Sequence, residues 1–328
     1  MKRYVLGVDG GGTKTQALIV DEEGRVQGWG MGGPSNYDDV GLEKAKAGVE
    51  GAVHLARQQA ALPETPFDSV FLGMAGVVSE KDRAVIRTIA QQLALANDQN
   101  IDVDHDCRIA LAGGLSGRPG MVLIAGTGSS CYGQNAKGES WIAGGWGHLI
   151  SDEGSSYWLG IQAMRCAAAS YDGRLHSVLK DLVQDHLQLT EMRDIMHRLY
   201  VTGMSRAEVA SLAPLIIHAA REGDEVALDL LDRGASELAE IVNAVAAKLD
   251  FTDQKCELAL VGGLFNAGDI VLLPLYDAIQ KRLPDCQIVF AELPPASGAA
   301  LLALKNLGIS PTSIQIANLS LPRSNSGQ

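Results

Sequence analysis

An apolar strand, Tyr4 to Asp9, runs into Gly10-Gly11-Gly12-Thr13-Lys14 and straight back out into a second strand, Thr15 to Asp21. Strand on both sides of a triple-glycine turn commits this segment to a hairpin, not to a strand-loop-helix unit. Consecutive glycines let the backbone bend tightly and approach a ligand, and successive N–H groups in such a turn make an anion-binding concavity. The turn therefore suits phosphate, with Asp9 at the strand end in reach of a metal ion. A Walker loop needs Gly-Lys-Ser/Thr opening a helix, whereas here Thr13 separates Gly12 from Lys14 and Gln16 to Val20 continues as strand. A dinucleotide fingerprint is excluded too, because no third glycine falls at the required offset and no helix begins there.

The hairpin extends to a third strand at Arg25 to Gly30. Leu42, Ala45, Val49, Val53 and Ala56 then recur at helical spacing, followed by a strand from Ser69 to Gly73 and a helix from about Glu80 to Ala96. Hairpins joined to crossover helices imply α/β architecture with a mixed sheet. The same plan restarts at Gly120, with strands Met121 to Ala125, Ser129 to Gln134 and Glu139 to Ala143 around Gly126-Thr127-Gly128-Ser129-Ser130. Helical patterns follow at Gly154 to Ala169, Ser205 to Arg221 and Asp224 to Leu249. The apolar face of the last suits either a core or a homodimer interface. A third glycine signal, Gly262-Gly263, follows the strand-like Leu258 to Val261 and precedes a helical pattern ending near Leu283. Pro294 to Gly298 opens the last clear helix, and the polar tail from Pro311 is expected to form an edge strand and a loose end.

A chain of 328 residues suits two domains of ordinary size. Its 27 basic and 39 acidic residues leave a net charge of −12 with no Lys/Arg cluster, which argues against nucleic acid as a partner. Apolar runs such as Met121 to Ala125 are far too short to span a bilayer, and Met1-Lys2-Arg3 leads into a strand, so a cytoplasmic protein is expected. Five scattered cysteines, without a C-x-x-C pair or Cys/His ligand spacing, suggest reduced thiols and no structural zinc or iron–sulfur cluster.

Phosphoryl transfer needs backbone donors around the phosphates, a magnesium ion, and a carboxylate to orient or deprotonate the attacking hydroxyl. The two glycine loops, each with a threonine (Thr13, Thr127), supply the donors. Asp106 ends a predicted strand and starts a helix, the position at which carboxylates face ligands in α/β sheets; a helix N-cap is an equally good account of Asp106 or Asp104. His105 receives no role. Gly144-Gly145-Trp146-Gly147 and Asp152-Glu153-Gly154-Ser155 combine glycines, an aromatic ring and a carboxylate suited to sugar hydroxyls. The plain alternative there is a turn, a buried Trp146 and a capping Asp152.

Taken together, Asp9 to Thr15, Ser35-Asn36, Asp106, Ala125 to Ser129, Gly144 to Gly147, Asp152 to Ser155 and Gly262-Gly263 resemble the N-acetylglucosamine kinase branch of the sugar-kinase/actin/heat-shock-ATPase superfamily, with its BadF/BadG/BcrA/BcrD-type ATPases. The resemblance covers nearly the whole chain in order. It implies two ribonuclease-H-like, actin-like ATPase lobes with a hinge cleft: residues 1–112 with a returning helix at about 296–308, residues 113–295, and a tail at 309–328. It further implies ATP and Mg2+ as cofactors. Gly11, Gly12, Thr13, Lys14, Thr127, Gly128, Gly262 and Gly263 would contact ATP, Asp9 would organise the metal, and Asp106 would be the catalytic base. Asn36, Ser129, Ser130, Gly145, Trp146, Gly147 and Asp152, with Asp106, would hold an amino sugar whose 6-hydroxyl is phosphorylated, lobe closure excluding water.

The family commonly has Asn-Asp-Ala around the base, where this chain has His105 and Cys107, and often glycine where Ser151 stands. Glucosamine and N-acetylmuramic acid kinases share the same phosphate apparatus. An ATPase that activates a partner enzyme is the alternative of another class, but its relatives carry cluster-binding cysteines that this sequence lacks.

Overall fold

Val5, Leu18 and Val20 point to one side of the first sheet and Leu6, Val8, Ala17 and Ile19 to the other, and both sets are fully buried. Covering both faces explains why these strands are near-continuous apolar runs instead of alternating ones. In this computed structural model residues 2–252, 255–310 and 318–319 are described, so the edge strand and loose end expected from Pro311 fall almost wholly outside the described residues.

The first sheet has the order β3-β2-β1-β4-β5, from β1 (Tyr4–Gly10), β2 (Thr15–Asp21), β3 (Val26–Gly32), β4 (Ser69–Met74) and β5 (Ile101–His105). β1 is antiparallel to β2 and parallel to β4, and β4 is parallel to β5. The connecting helices are α1 (Tyr37–Val40), α2 (Leu42–Ala60), α3 (Glu80–Gln92) and α4 (Asp106–Gly114). The second sheet repeats this plan as β8-β7-β6-β9-β10, from β6 (Gly120–Ala125), β7 (Ser129–Gln134), β8 (Ser140–Gly144), β9 (Cys256–Val261) and β10 (Cys286–Phe290). Its helices are α5 (Ser156–Tyr171), α6 (Leu179–His186), α7 (Asp194–His197), α8 (Arg206–Ala210), α9 (Ala213–Arg221), α10 (Glu225–Lys248) and α11 (Asp269–Gln280). The final helix, α12 (Pro295–Asn306), packs on α4 and on β1 of the first sheet.

The chain divides into two units, residues 1–118 with 290–328, and residues 119–289. The boundary expected at Gly113 falls inside α4, and the chain instead leaves the first unit after Arg118 and re-enters it at Phe290. Arg118 Nη2 lies 2.6 Å from Glu292 Oε1 at that crossing, and Ser116 donates to the same carboxylate.

Helix α2 lies unusually close to β3. A Cβ placed on Gly28, Gly30 or Gly32 would fall 2.2, 2.1 or 2.0 Å from the carbonyl oxygens of Ala56, Ala52 and Gly48 respectively. Two residues of strand advance about as far as four residues of helix, roughly 6–7 Å against 6 Å, so the small residues of each element meet in step.

Some elements differ from expectation. The helix from Glu80 ends at Gln92, and Ala94 turns left-handed at φ 46°. The single helix expected from Ser205 to Arg221 is two, because Pro214 has no N–H to continue the first and sits at the start of α9. Strand β10 was not anticipated. The apolar face of α10 is consumed by the core of its own unit, through Leu230, Leu238, Val242 and Val245.

Candidate active site

In the first unit, register brings the ends of three strands to one edge: Gly10 pairs with Met74, and Met74 with His105. Asp9, the glycine turn and Asp106 consequently share that edge. The turn closes through Gly11 N–H to Lys14 C=O at 3.0 Å, and the Gly11 carbonyl accepts from the N–H groups of Ser35 and Asn36. Thr15 Oγ1 is buried against Gly33 C=O and Ser35 Oγ, at 2.6 and 2.7 Å. Gly12, Thr13 and Lys14 are exposed, and among the described residues no internal backbone partner takes the N–H of Gly12 or Thr13. The turn is thus anchored beneath and open above. Asn36 N-caps α1 and donates to Asp39 Oδ2 at 2.7 Å.

Asp106 is not an N-cap. His105 holds that position without a side-chain cap, and Asp106 occupies the first helical turn, where the helix dipole favours a carboxylate. Asp104 is engaged elsewhere, 2.7 Å from Arg83 Nη2 and 2.6 Å from Arg108 Nη1. Burial pushes the Asp104 carboxyl up, yet the Arg108 and Arg83 guanidiniums outweigh it and hold it below the ordinary carboxylate range. Asp9 behaves oppositely. Burial, and then the Asp106 carboxylate, push its pKa up to about 7 against the opposing charge of Lys14. A carboxyl raised this far by burial and a neighbouring carboxylate is a recurrent mark of functional sites.

In the second unit the turn Gly126 to Gly128 joins β6 to β7 at the corresponding place. It closes through Gly126 N–H to Gly128 C=O at 2.9 Å, while the first N–H groups of α5 donate to the carbonyls of Gly126 and Thr127. Asp152 is 3% exposed and left-handed at φ 67°. Its carboxylate accepts from Ser129 N–H at 3.2 Å and Arg206 Nη2 at 3.3 Å, and packs against Gly128, where a Cβ would lie 2.9 Å from Oδ1. The cap of α5 is Ser155, not Asp152. Trp146 is 73% exposed between the left-handed Gly145 and Gly147, so it is not the buried tryptophan of the plain alternative. Ser129 and Ser130 are buried, and the Ser129 hydroxyl donates to Glu153 C=O at 2.7 Å. Gly262 ends β9 beside this turn with φ 126°, and a Cβ there would sit 2.1 Å from Ala125 C=O, whereas Gly263 faces open space.

A model of the BadF/BadG/BcrA/BcrD ATPase family matches residues 6–303. The chain belongs to this family. Within it, the chain is 34% identical to the N-acetylmuramic acid/N-acetylglucosamine kinase of Clostridium acetobutylicum, over 92% of this chain and 98% of that one. It is 33% identical to the N-acetyl-D-glucosamine kinase of Dictyostelium discoideum, over 93% and 99% of the two chains. Among solved structures, a candidate N-acetylglucosamine kinase from Chromobacterium violaceum superposes with a TM-score of 0.74 at 30% identity, covering 92% of this chain and 99% of that one. The α/β fold of this BadF/BadG/BcrA/BcrD-family chain, with its two mixed sheets, is therefore a sugar-kinase fold.

Arg206 and the Arg83–Asp104–Arg108 cluster went unnoticed in the sequence. Ser205 and Glu208 do advertise a capping box, but nothing local ties Arg206 to a carboxylate 54 residues earlier. His105, Asp106 and Cys107 also converge, although no Cys/His spacing announced it.

Proposed function

We propose that this chain is an ATP-dependent amino-sugar kinase that transfers the γ-phosphoryl group to the 6-hydroxyl of N-acetylglucosamine. The observation that carries this reading is Asp106: a carboxylate released from capping, at the strand edge that also presents an open glycine turn and Asp9. In this role Asp106 takes the hydroxyl proton on a carboxylate oxygen as the oxygen attacks phosphorus. Gly12 and Thr13 bind phosphate through backbone N–H groups, Gly11 lets the turn close beneath the nucleotide, and Lys14 adds positive charge. Thr127 and Gly128 serve in the same way in the second unit, and Gly263, with open space above it, lets the nucleotide approach the backbone while Gly262 makes the bend.

Asp9 fits a divalent cation, because a largely buried carboxylate crowded by Asp106 is relieved by positive charge. Magnesium bound there would neutralise phosphate oxygens. Asn36, Ser129, Ser130, Gly145, Trp146, Gly147 and Asp152 are assigned to the sugar. The exposed Trp146 ring supplies an apolar face, and Asp152, fixed by Ser129 and Arg206, retains lone pairs for sugar hydroxyls. A supply of ATP places the reaction in the cytoplasm.

The named activities of the two relatives support an amino sugar over a neutral one. A partner-activating ATPase with a shared cluster needs accessible cysteines. Cys107, Cys131, Cys256 and Cys286 are buried, and Cys256 and Cys286 hydrogen-bond to each other at the N-terminal ends of β9 and β10, opposite the Gly262 end. Coupled ADP release from magnesium-ATP, measured with N-acetylglucosamine, glucosamine, N-acetylmuramic acid, N-acetylmannosamine, glucose and no sugar, tests the proposal. Turnover with N-acetylglucosamine supports it; turnover with glucosamine or N-acetylmuramic acid alone replaces the substrate; sugar-independent hydrolysis removes the kinase.

A further inference from the structure

We propose that His105, Asp106 and Cys107 form a binding site for a thiophilic divalent cation such as zinc, and that filling it halts phosphoryl transfer. The halting rests on Asp106 being the base; the binding does not. One ligand atom from each residue lies within 4.8 Å of the other two. Cys107 Sγ is 3.5 Å from Asp106 Oδ1. A tetrahedral zinc with bonds of roughly 2.3 Å to sulfur and 2.0 Å to oxygen places those two ligands about 3.5 Å apart, so this edge of the polyhedron is already formed. A ring nitrogen of His105, within 4.8 Å of both, moves inward to complete the face.

Three consecutive residues rarely converge, because strand alternation sends neighbours to opposite faces and a helix fans them around its axis. Here the backbone changes from strand to helix between His105 and Asp106. That change swings the three side chains together. Beside the ring, Asp104 Oδ1 lies 3.8 Å from His105 Nε2, beyond hydrogen-bond reach but close enough for charge attraction, and is itself held by Arg83 and Arg108. Cys107 is buried, too deep to share a cluster with a second chain, whereas His105 and Asp106 keep partial exposure and leave a single ion a route past them to the thiol.

On binding, the Cys107 S–H bond breaks and its proton passes to solvent. Sulfur, a ring nitrogen and a carboxylate oxygen each donate an electron pair to zinc, and water completes the shell. The Asp106 oxygen pair that would accept the hydroxyl proton is then engaged.

The test uses the full chain with free zinc set by a metal buffer. Zinc binding, followed by competition with a chromophoric chelator, is expected to weaken at least tenfold in Cys107→Ser and in the double variant His105→Asn with Cys107→Ala. Cobalt(II) should give a thiolate-to-metal charge-transfer band that Cys107→Ser abolishes, with Cys131, Cys166, Cys256 and Cys286 unchanged as the internal background. Equal zinc affinity in all three proteins, or a cobalt band that survives Cys107→Ser, overturns the site. Zinc inhibition of ADP release, each protein compared with its own zinc-free rate, should need at least tenfold more zinc in the double variant. Specific binding without inhibition keeps the site and removes the halting, and absence of sugar turnover in every protein removes the kinase reading while leaving the binding result to stand.

Discussion

Asp9 lies near the end of β1 and Asp106 just beyond the end of β5, with β4 between them, yet their surroundings ask different things of them. If Asp106 is the base, Asp106→Asn keeps shape and loses proton acceptance, and sugar-dependent ADP release should fall on the order of 10²–10⁴-fold with little change in thermal stability. Asp9 carries a pH signature. Its ordinary value is 3.8 and burial, with Asp106, raises it to about 7 in the folded chain. A carboxyl raised on folding binds its proton more tightly in the native state, so its contribution to stability is complete below about pH 4 and is lost as pH rises through about 7. In metal-free buffer the melting temperature of the wild type should decline across that window relative to Asp9→Asn, and parallel curves would remove the shift. A divalent cation should shrink the difference by favouring the carboxylate. Both residues were legible from the strand-turn-strand and strand-helix junctions. The influence of Asp106 on Asp9 was not, since the two lie 97 residues apart and meet through sheet register that no local pattern encodes.

At the scale of elements, the close pairing of β3 with α2 makes a prediction of opposite signs within one layer. Gly30→Ala would drive a methyl group to 2.1 Å from the Ala52 carbonyl, where backbone must move, and should cost about 1–3 kcal/mol or more in chemical denaturation. Gly51 lies inside α2, and a methyl group added there would meet nothing within 4 Å, so Gly51→Ala should stabilise by about 0.5–1 kcal/mol through helix propensity. A loss in both, or in neither, would contradict the packing described. Strands and helices were readable where periodicity was long, as in β1, β2, α2 and α10. Periodicity misled where a proline or a left-handed residue ended an element early, at Pro214 and Ala94. Strand β10 escaped because its apolar run, Ile288-Val289-Phe290, is only three residues of a five-residue strand and is partly exposed, too short for periodicity to tell strand from helix end or loop.

For the whole molecule, repetition of one strand order in two sheets was visible because both copies keep the glycine turn between their first two strands. What the repeat could not convey is that the two units differ in continuity. Residues 119–289 form one uninterrupted unit whose core draws on α5, α9, α10 and the second sheet. The first unit is interrupted, and one of its two cores joins Val5, Leu18, Val20, Phe71 and Ile109 to Leu293, Ala296, Ala299, Ala300 and Leu304. Those strand residues lie on the sheet face that α4 and α12 cover, with Leu319 joining the same core, and removing α12 exposes a row of fully buried apolar side chains to water. A fragment of residues 119–289 should therefore unfold cooperatively on its own. A fragment of residues 1–118 should lack a cooperative transition and bind a hydrophobic dye, and adding a peptide of residues 290–310 in trans should restore the transition. Cooperative unfolding of the 1–118 fragment without that peptide would show that α12 is an ornament of the first sheet and not part of what holds it together.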